Sequence, residues 1–385
     1  MSYKKIIIMG DYFYNSPEHV MKNSFWIHKL FLPIIKNTVN PEMEVTFDIK
    51  DKNGNEFSRD YFYKLGGIKD IKSSYNEYDI NQFNNEQIEY LKKFFNSDVV
   101  ILGFELYDKL SEFYTSFGCT IIDLAYHSYK LFDDLAFGIS TNNKDIYNQL
   151  LKYQVPQEKF YYYANYWKTY MEYNGMIQDS DLEDNSALFI GQTLVDKSVE
   201  KDGVFLNVTH FEDKLKELKE KYSKIYYLPH PYLGKKRKMI YDWVNKSPYI
   251  ELLANRSTYG LLASDKIKKV VGISTSVLYE AQYFNKEVEY LYKPLFNIDA
   301  PFEEHSYISI FEDYWNPKFW ADILSPVCEV KSDVKDINYF KGEVNKLRDI
   351  KNYYWGYAQL DPIKRIPNAY EAIKNLYKKY IAPHF

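Results

Sequence analysis

Two α/β domains, each built on a parallel sheet, are what this sequence predicts, and three observations predict them. Short apolar runs end repeatedly in glycine or a polar loop, amphipathic stretches stand between those runs, and 385 residues exceed what one core usually organises. The first run, Ile6–Met9, stops at Gly10-Asp11 and reads as a buried strand. Phe25 to Ile35 carries apolar residues at helical spacing. Residues 43–63 alternate in character and contain Asn53-Gly54, a hairpin signal. Ile88–Phe95 is helical in pattern, Asp98–Gly103 reads as a second strand and Cys119–Leu124 as a third. Strands separated by helices pair in parallel through crossovers.

The polar, acidic stretch 175–186 reads as an interdomain linker. A second alternation follows. Ala187–Ile190 is a strand ending in Gly191, His210–Tyr222 a charged helix, and Lys224–Leu228 a strand ending in Pro229-His230-Pro231. Met239–Asn245 is a helix, Tyr249–Leu253 a short strand and Ser257–Ser264 a short helix. Val270–Ile273 is a strand ending in Ser274, Val277–Phe284 a helix, and Glu287–Tyr292 the last strand. Residues 336–385 are mostly helical in pattern. The expected domains are 1–178 and 187–335, with 336–385 packing back on the first.

Composition excludes several classes. A formal net charge of −4 gives no global basic field, so broad nucleic-acid binding is not expected. Cys119 and Cys328 are too few and too far apart for a disulfide framework or a structural zinc site. No run approaches the roughly 20 apolar residues that span a bilayer, and Ile6–Met9 is too short for a signal-peptide core. A cytoplasmic enzyme is the expectation. The 40 tyrosines mingle with Lys, Asn and Ile throughout, so base composition explains most of them; aromatic faces lining a sugar or base site are the functional alternative.

Three polar clusters sit at strand ends of the second half, where open α/β sheets bind ligands. They are Gly191-Gln192…Asp196…Ser198, then Pro229-His230-Pro231, then Ser274-Thr275-Ser276…Glu280. Three hydroxyls opening a helix exceed what one cap requires and suit an anion, although a plain N-cap is the simpler reading. Glu280 is a candidate for a ribose diol or a surface charge. Flanking prolines fix the backbone around His230, which suits a donor to a leaving phosphate as well as a structural imidazole. Asp196 is a nucleophile, a base or a loop cap, and its spacing to Ser198 fits a turn. In the first half, Glu105 and His127 lie at the ends of neighbouring strands, placed for acid/base work across a cleft. The basic run Lys235–Lys238 is a solvated face or an attraction for an anionic acceptor or membrane surface.

As an ordered set, these clusters resemble the retaining β-Kdo transferases of bacterial capsule and O-antigen assembly. The resemblance runs from Val99 to Phe296, about half the chain. It rests on Gly191, Gln192, Asp196 and Ser198; on His230-Pro231; on Ser274, Thr275, Ser276 and Glu280; and on Gly103, Glu105, His127 and Phe132 to Leu135. Ser128 departs from the proline expected after the histidine. The resemblance implies a GT-B fold, two Rossmann-like domains facing across a cleft with C-terminal helices. It also implies a CMP-sugar donor, no metal or other cofactor, and double displacement through a glycosyl-enzyme adduct. Asp196 would be the nucleophile, Glu105 the acid/base, and His127 a further catalytic group. His230 and Ser274–Ser276 would hold the CMP phosphate and Glu280 the ribose, with Gln192, Ser198 and Pro231 also in the donor-binding site. The partners implied are a CMP-activated acidic sugar and a saccharide or lipid-linked saccharide acceptor, with peripheral association at the inner membrane face.

Sialyltransferases of bacteria share the His-Pro and Ser/Thr motifs, so sialic, pseudaminic or legionaminic acid are alternative donor sugars. An inverting UDP-sugar transferase and a non-catalytic nucleotide-binding scaffold are further readings. CMP carries one phosphate, which His230 and helix-terminus donors suffice to neutralise.

Overall fold

The computed structural model describes residues 5–10, 17–67, 83–106, 108–177, 179–194, 196–233, 237–337 and 346–355. Lys235 and Lys236 of the basic run and the C-terminal stretch from 356 onward lie outside these residues.

The first sheet begins with β1 (Lys5–Gly10), β2 (Glu44–Thr46), β3 (Val99–Phe104), β4 (Thr120–Tyr126) and β5 (Phe137–Thr141). The runs Ile6–Met9, Val99–Phe104 and Thr120–Ala125 are buried along their whole length, as parallel strands covered on both faces must be. β2, β1, β3 and β4 pair in parallel, and β5 turns back antiparallel on β4. One face packs on helix Pro17–Thr38 through Trp26, Ile27, Phe31 and Ile35. That helix continues through Pro33. The other face packs on helices Arg59–Leu65, Asn85–Lys92 and Asp108–Ser116. Asn84 and Gln87 close a capping box at the start of the second of these. The Asn53-Gly54 signal yields only a tight turn with a single antiparallel bridge, Lys50 to Glu56; Glu44–Thr46 is a parallel edge strand instead of half a hairpin.

The second sheet contains β6 (Ser186–Ile190), β9 (Ile225–Leu228), β10 (Glu251–Leu252), β11 (Ile267–Gly272) and β12 (Glu287–Tyr290), all parallel, in the order β10-β9-β6-β11-β12. A two-stranded ribbon, β7 (Glu200–Lys201) and β8 (Val204–Phe205), follows β6. In sequence rank the sheet order is 3-2-1-4-5, so the strand order reverses between β6 and β11 and opens a crevice at their carboxyl ends. Helices Glu212–Lys221 and Arg237–Lys246 cover one face. Helix Gln157–Tyr173 and helices Thr258–Ala263 and Val277–Ala281 cover the other.

Among the described residues the chain crosses between the sheets twice. It leaves the first through 151–156, and returns to add β13 (Ile308–Ile310) antiparallel to β5. Neither β5 nor β13 was expected, and Glu287–Tyr290 is therefore not the last strand. Helix Pro317–Leu324, capped by Asn316, then packs Phe319, Trp320 and Ile323 into the first core. Helix Lys346–Trp355 adds Leu347 to that core. The stretch 175–186, expected as the linker, is fastened to the second sheet's side: Asp179 accepts from Ser264 Oγ at 2.6 Å, and Asp181 pairs with Arg256.

Candidate active site

The loops that follow β6, β9 and β11 meet at the crevice. Gly191 makes room for a side chain of β9 and Gly272 for its own loop: a Cβ at Gly191 would lie 2.5 Å from Tyr227 Oη, and one at Gly272 would lie 2.6 Å from Thr275 Cγ2. Gln192 Oε1 accepts a hydrogen bond from Ser274 N at 2.6 Å, which locks the first loop to the third across the switch point. Thr275 Oγ1 accepts from Val277 N at 3.3 Å and so caps the following turn. Ser274 Oγ is buried and has no hydrogen-bond partner among the described residues. Ser276 caps nothing with its side chain; its Oγ accepts from Lys130 Nζ at 2.9 Å.

Lys130 was not singled out in the sequence, because nothing in its surroundings there marks it. Its role comes from tertiary placement. It lies in the loop 127–136 between β4 and β5, and this loop is pinned throughout. Tyr129 Oη donates to Phe160 O at 2.6 Å, Trp167 Nε1 donates to Leu131 O at 2.8 Å, and Arg348 Nη2 donates to Lys130 O at 2.9 Å. Asp134 accepts from Leu347 N and Arg348 N, and Asp133 accepts from Tyr163 Oη, so the Phe132 to Leu135 segment staples the loop in place. The result is an ammonium from the first sheet's side set on the Ser-Thr-Ser loop of the second.

Glu280 is the buried anchor of this junction. It is 0% exposed; Oε1 accepts from Lys130 N at 2.8 Å and Oε2 accepts from Tyr259 Oη at 2.8 Å. Burial pushes its carboxyl pKa up, and Lys130 pulls it back. With both oxygens engaged and no solvent access, Glu280 fastens the two sheets together here; it is neither a surface charge nor a group facing a ribose.

His230 is half-buried, and its Nδ1 accepts from Tyr232 N at 3.1 Å. The proton therefore sits on Nε2, which is left to donate. Burial lowers its pKa, the charge of Asp196 raises it, and Lys130 lowers it further. Pro231 is exposed, and its carbonyl accepts from Arg237 Nη2 at 3.3 Å. Asp196 is exposed, and its Oδ1 accepts from Ser198 N at 2.9 Å, the turn that the spacing suggested.

Glu105 follows β3 with φ of +49°, a conformation a side chain seldom adopts. Two bonds to β4 hold it there: Glu105 N donates to Leu124 O at 2.8 Å, and Leu106 N to Asp123 Oδ1 at 3.1 Å. Surface area marks Glu105 as exposed, yet protein atoms crowd it enough to raise its carboxyl to about 7. A carboxylate on the floor of an open cleft satisfies both. Burial is the largest cause, Lys351 and the Tyr126 N–H oppose it, and the charge of Asp196 adds to it. Glu105, Asp196, His230 and Lys130 thus form one electrostatic neighbourhood fed by loops from both sheets.

His127 stands apart from it. It is 2% exposed, its Nδ1 accepts from Tyr129 N at 3.0 Å, and its Nε2–H faces Ser309 Oγ at 2.8 Å. Ser309 Oγ passes the bond on to Asp299 Oδ2 at 2.8 Å. Burial pulls the His127 pKa down to about 3, so it stays neutral and ties β4 to β13. The catalytic expectation for His127 is thereby corrected to a structural role. His127→Ala is expected to lower unfolding free energy by about 1–3 kcal/mol through unsatisfied partners. Urea denaturation measures the loss.

Among the described residues no helix is long and apolar enough to cross a membrane, and no group of three His, Cys, Asp or Glu is placed to hold a metal ion. No protein-family model and no curated protein sequence matches the chain. Among solved structures it is similar to Thermosulfurimonas dismutans KpsC, β-Kdo 2,7 transferase, at 13% identity over 68% of this chain and 75% of that one, with a TM-score of 0.33. It is also similar to Thermosulfurimonas dismutans KpsC, β-Kdo 2,4 transferase, at 11% identity over 75% of this chain and 79% of that one, with a TM-score of 0.37.

Proposed function

We propose that the chain is a retaining glycosyltransferase of GT-B type that moves an acidic 2-keto sugar, Kdo in the first instance, from its CMP donor to a saccharide of a bacterial surface polysaccharide. The observation that carries this reading is the convergence of Gln192, His230, Ser276 and Lys130 on the switch-point crevice, with Asp196 and Glu105 within electrostatic reach. One ammonium, one neutral imidazole N–H and the Ser-Thr-Ser loop match a single phosphate better than a diphosphate.

In this scheme the Asp196 carboxylate attacks the anomeric carbon while the C–O bond to CMP breaks, and the phosphate takes the electron pair. His230 Nε2–H and Lys130 Nζ stabilise the charge that develops on the leaving phosphate. Glu105 then takes the proton of the acceptor hydroxyl as that oxygen attacks the adduct and expels Asp196. Two inversions leave the anomeric configuration retained.

The test is calorimetric titration with CMP, followed by transfer assays with CMP-Kdo, CMP-sialic, CMP-pseudaminic and CMP-legionaminic acids. Saturable CMP binding and turnover of one of these donors are expected; neither binding nor turnover with any of them would end the proposal. Lys130→Met is expected to weaken CMP by about 10- to 100-fold, the worth of one charge-assisted hydrogen bond. An unchanged Kd in that variant would remove Lys130 from the phosphate site.

A further inference from the structure

A cavity of about 680 Å³ lies apart from the crevice above: none of the candidate site residues picked out from the sequence lines it, although Ser128, the departure after His127, does. Its walls come from both stretches that connect the sheets, 151–157 and 294–300, and from the helix that follows the Ser-Thr-Ser loop. The size falls within the roughly 300–1,000 Å³ of ordinary small-molecule sites.

Its chemistry is uneven. Half-buried Tyr279, Tyr290 and Phe296 line it with aromatic rings, as do Phe160 and Tyr283, which are buried and stacked on one another. The side-chain amides of Gln157 and half-buried Gln282 face it with no protein partner among the described residues. No lysine or arginine lines it among those residues, and its one carboxylate, Asp299, already accepts from Ser309 N at 2.9 Å and Ser309 Oγ at 2.8 Å. An anion would find no counter-charge here. A purely apolar ligand would cover the amide of half-buried Gln282 without pairing it. A pyranose ring offers apolar C–H faces for the aromatic rings, and hydroxyls that both donate to and accept from amides.

We infer that this cleft binds neutral saccharide, the run of acceptor glycan next to the sugar that receives transfer. The acceptor assignment rests on the transferase reading; the saccharide chemistry of the cleft stands without it. Saturation-transfer NMR on the full chain with lactose, cellobiose and N,N′-diacetylchitobiose tests it. At least one of these disaccharides is expected to bind. Gln282→Leu and Phe296→Ala are each expected to weaken it by about fivefold or more while leaving CMP affinity unchanged. The two variants remove different chemistry, an amide and a ring, so a folding defect in one leaves the other to decide. A protein that binds CMP but none of the disaccharides, or that binds one undiminished in both variants, overturns the cleft and spares the transferase reading. A protein that binds a disaccharide through these residues but no CMP supports the cleft and removes that reading.

Discussion

Asp196→Ala is expected to abolish transfer, by a factor on the order of 10⁴ or more, while CMP binds near its wild-type affinity. The aspartate is exposed and its side chain's one hydrogen bond among the described residues is the 2.9 Å turn with Ser198 N, so the fold loses little when it goes. That bond also defines the competing explanation, in which Asp196 only shapes the loop. Asp196→Asn separates the two, because its amide oxygen still accepts from Ser198 N but is a poor nucleophile. A loop-shaping role predicts an active asparagine variant; a nucleophile predicts an inactive one. Incubating wild type with donor and no acceptor should load one sugar residue onto the protein, visible by intact mass and absent in both variants. Near-normal turnover by Asp196→Asn would eliminate the covalent route.

The fold was legible where burial dictates the pattern. Ile6–Met9, Val99–Leu102 and Val270–Val271 are apolar on both faces, and only a covered parallel strand wants that. β5 and β13 escaped because Phe137–Thr141 and Ile308–Ile310 are short and mixed in composition, and β13 finds its partner β5 far away in sequence. Their strand character comes from the sheet they join. The site divides in the same way. Gln192, Asp196, His230 and Ser274–Ser276 follow strands directly, so position in the chain fixed position in space. Lys130 and Glu280 could not be sorted by local pattern. One is a cation in an irregular loop, and the other a helix carboxylate whose 0% exposure is set by Lys130 and Tyr259, 150 and 21 residues away. His127 was misread because strand-end position says nothing about which side of the sheet a ring is buried on.

Glu105 carries the second large effect, and pH is how it shows. With its carboxyl raised to about 7, a general base there is half ionised at neutral pH. Transfer should therefore climb through an acid limb near pH 7 and level off above it. Glu105→Gln should cut the rate by roughly 10²- to 10⁴-fold and flatten that limb, since the amide does not titrate. Stability gives a reading independent of turnover. The folded state holds the proton more tightly than the unfolded chain, whose glutamate titrates near 4.5. Between about 4.5 and 7 the native state binds more protons, so this group's contribution to stability is undiminished below that window and falls as pH rises through it. Glu105→Gln removes the penalty. Its melting temperature should exceed that of wild type at pH 8 and converge with it near pH 4. A variant that is stabilised at pH 8 but keeps the wild-type rate and limb would leave Glu105 as a strained carboxylate on the cleft floor and move the proton transfer to another group.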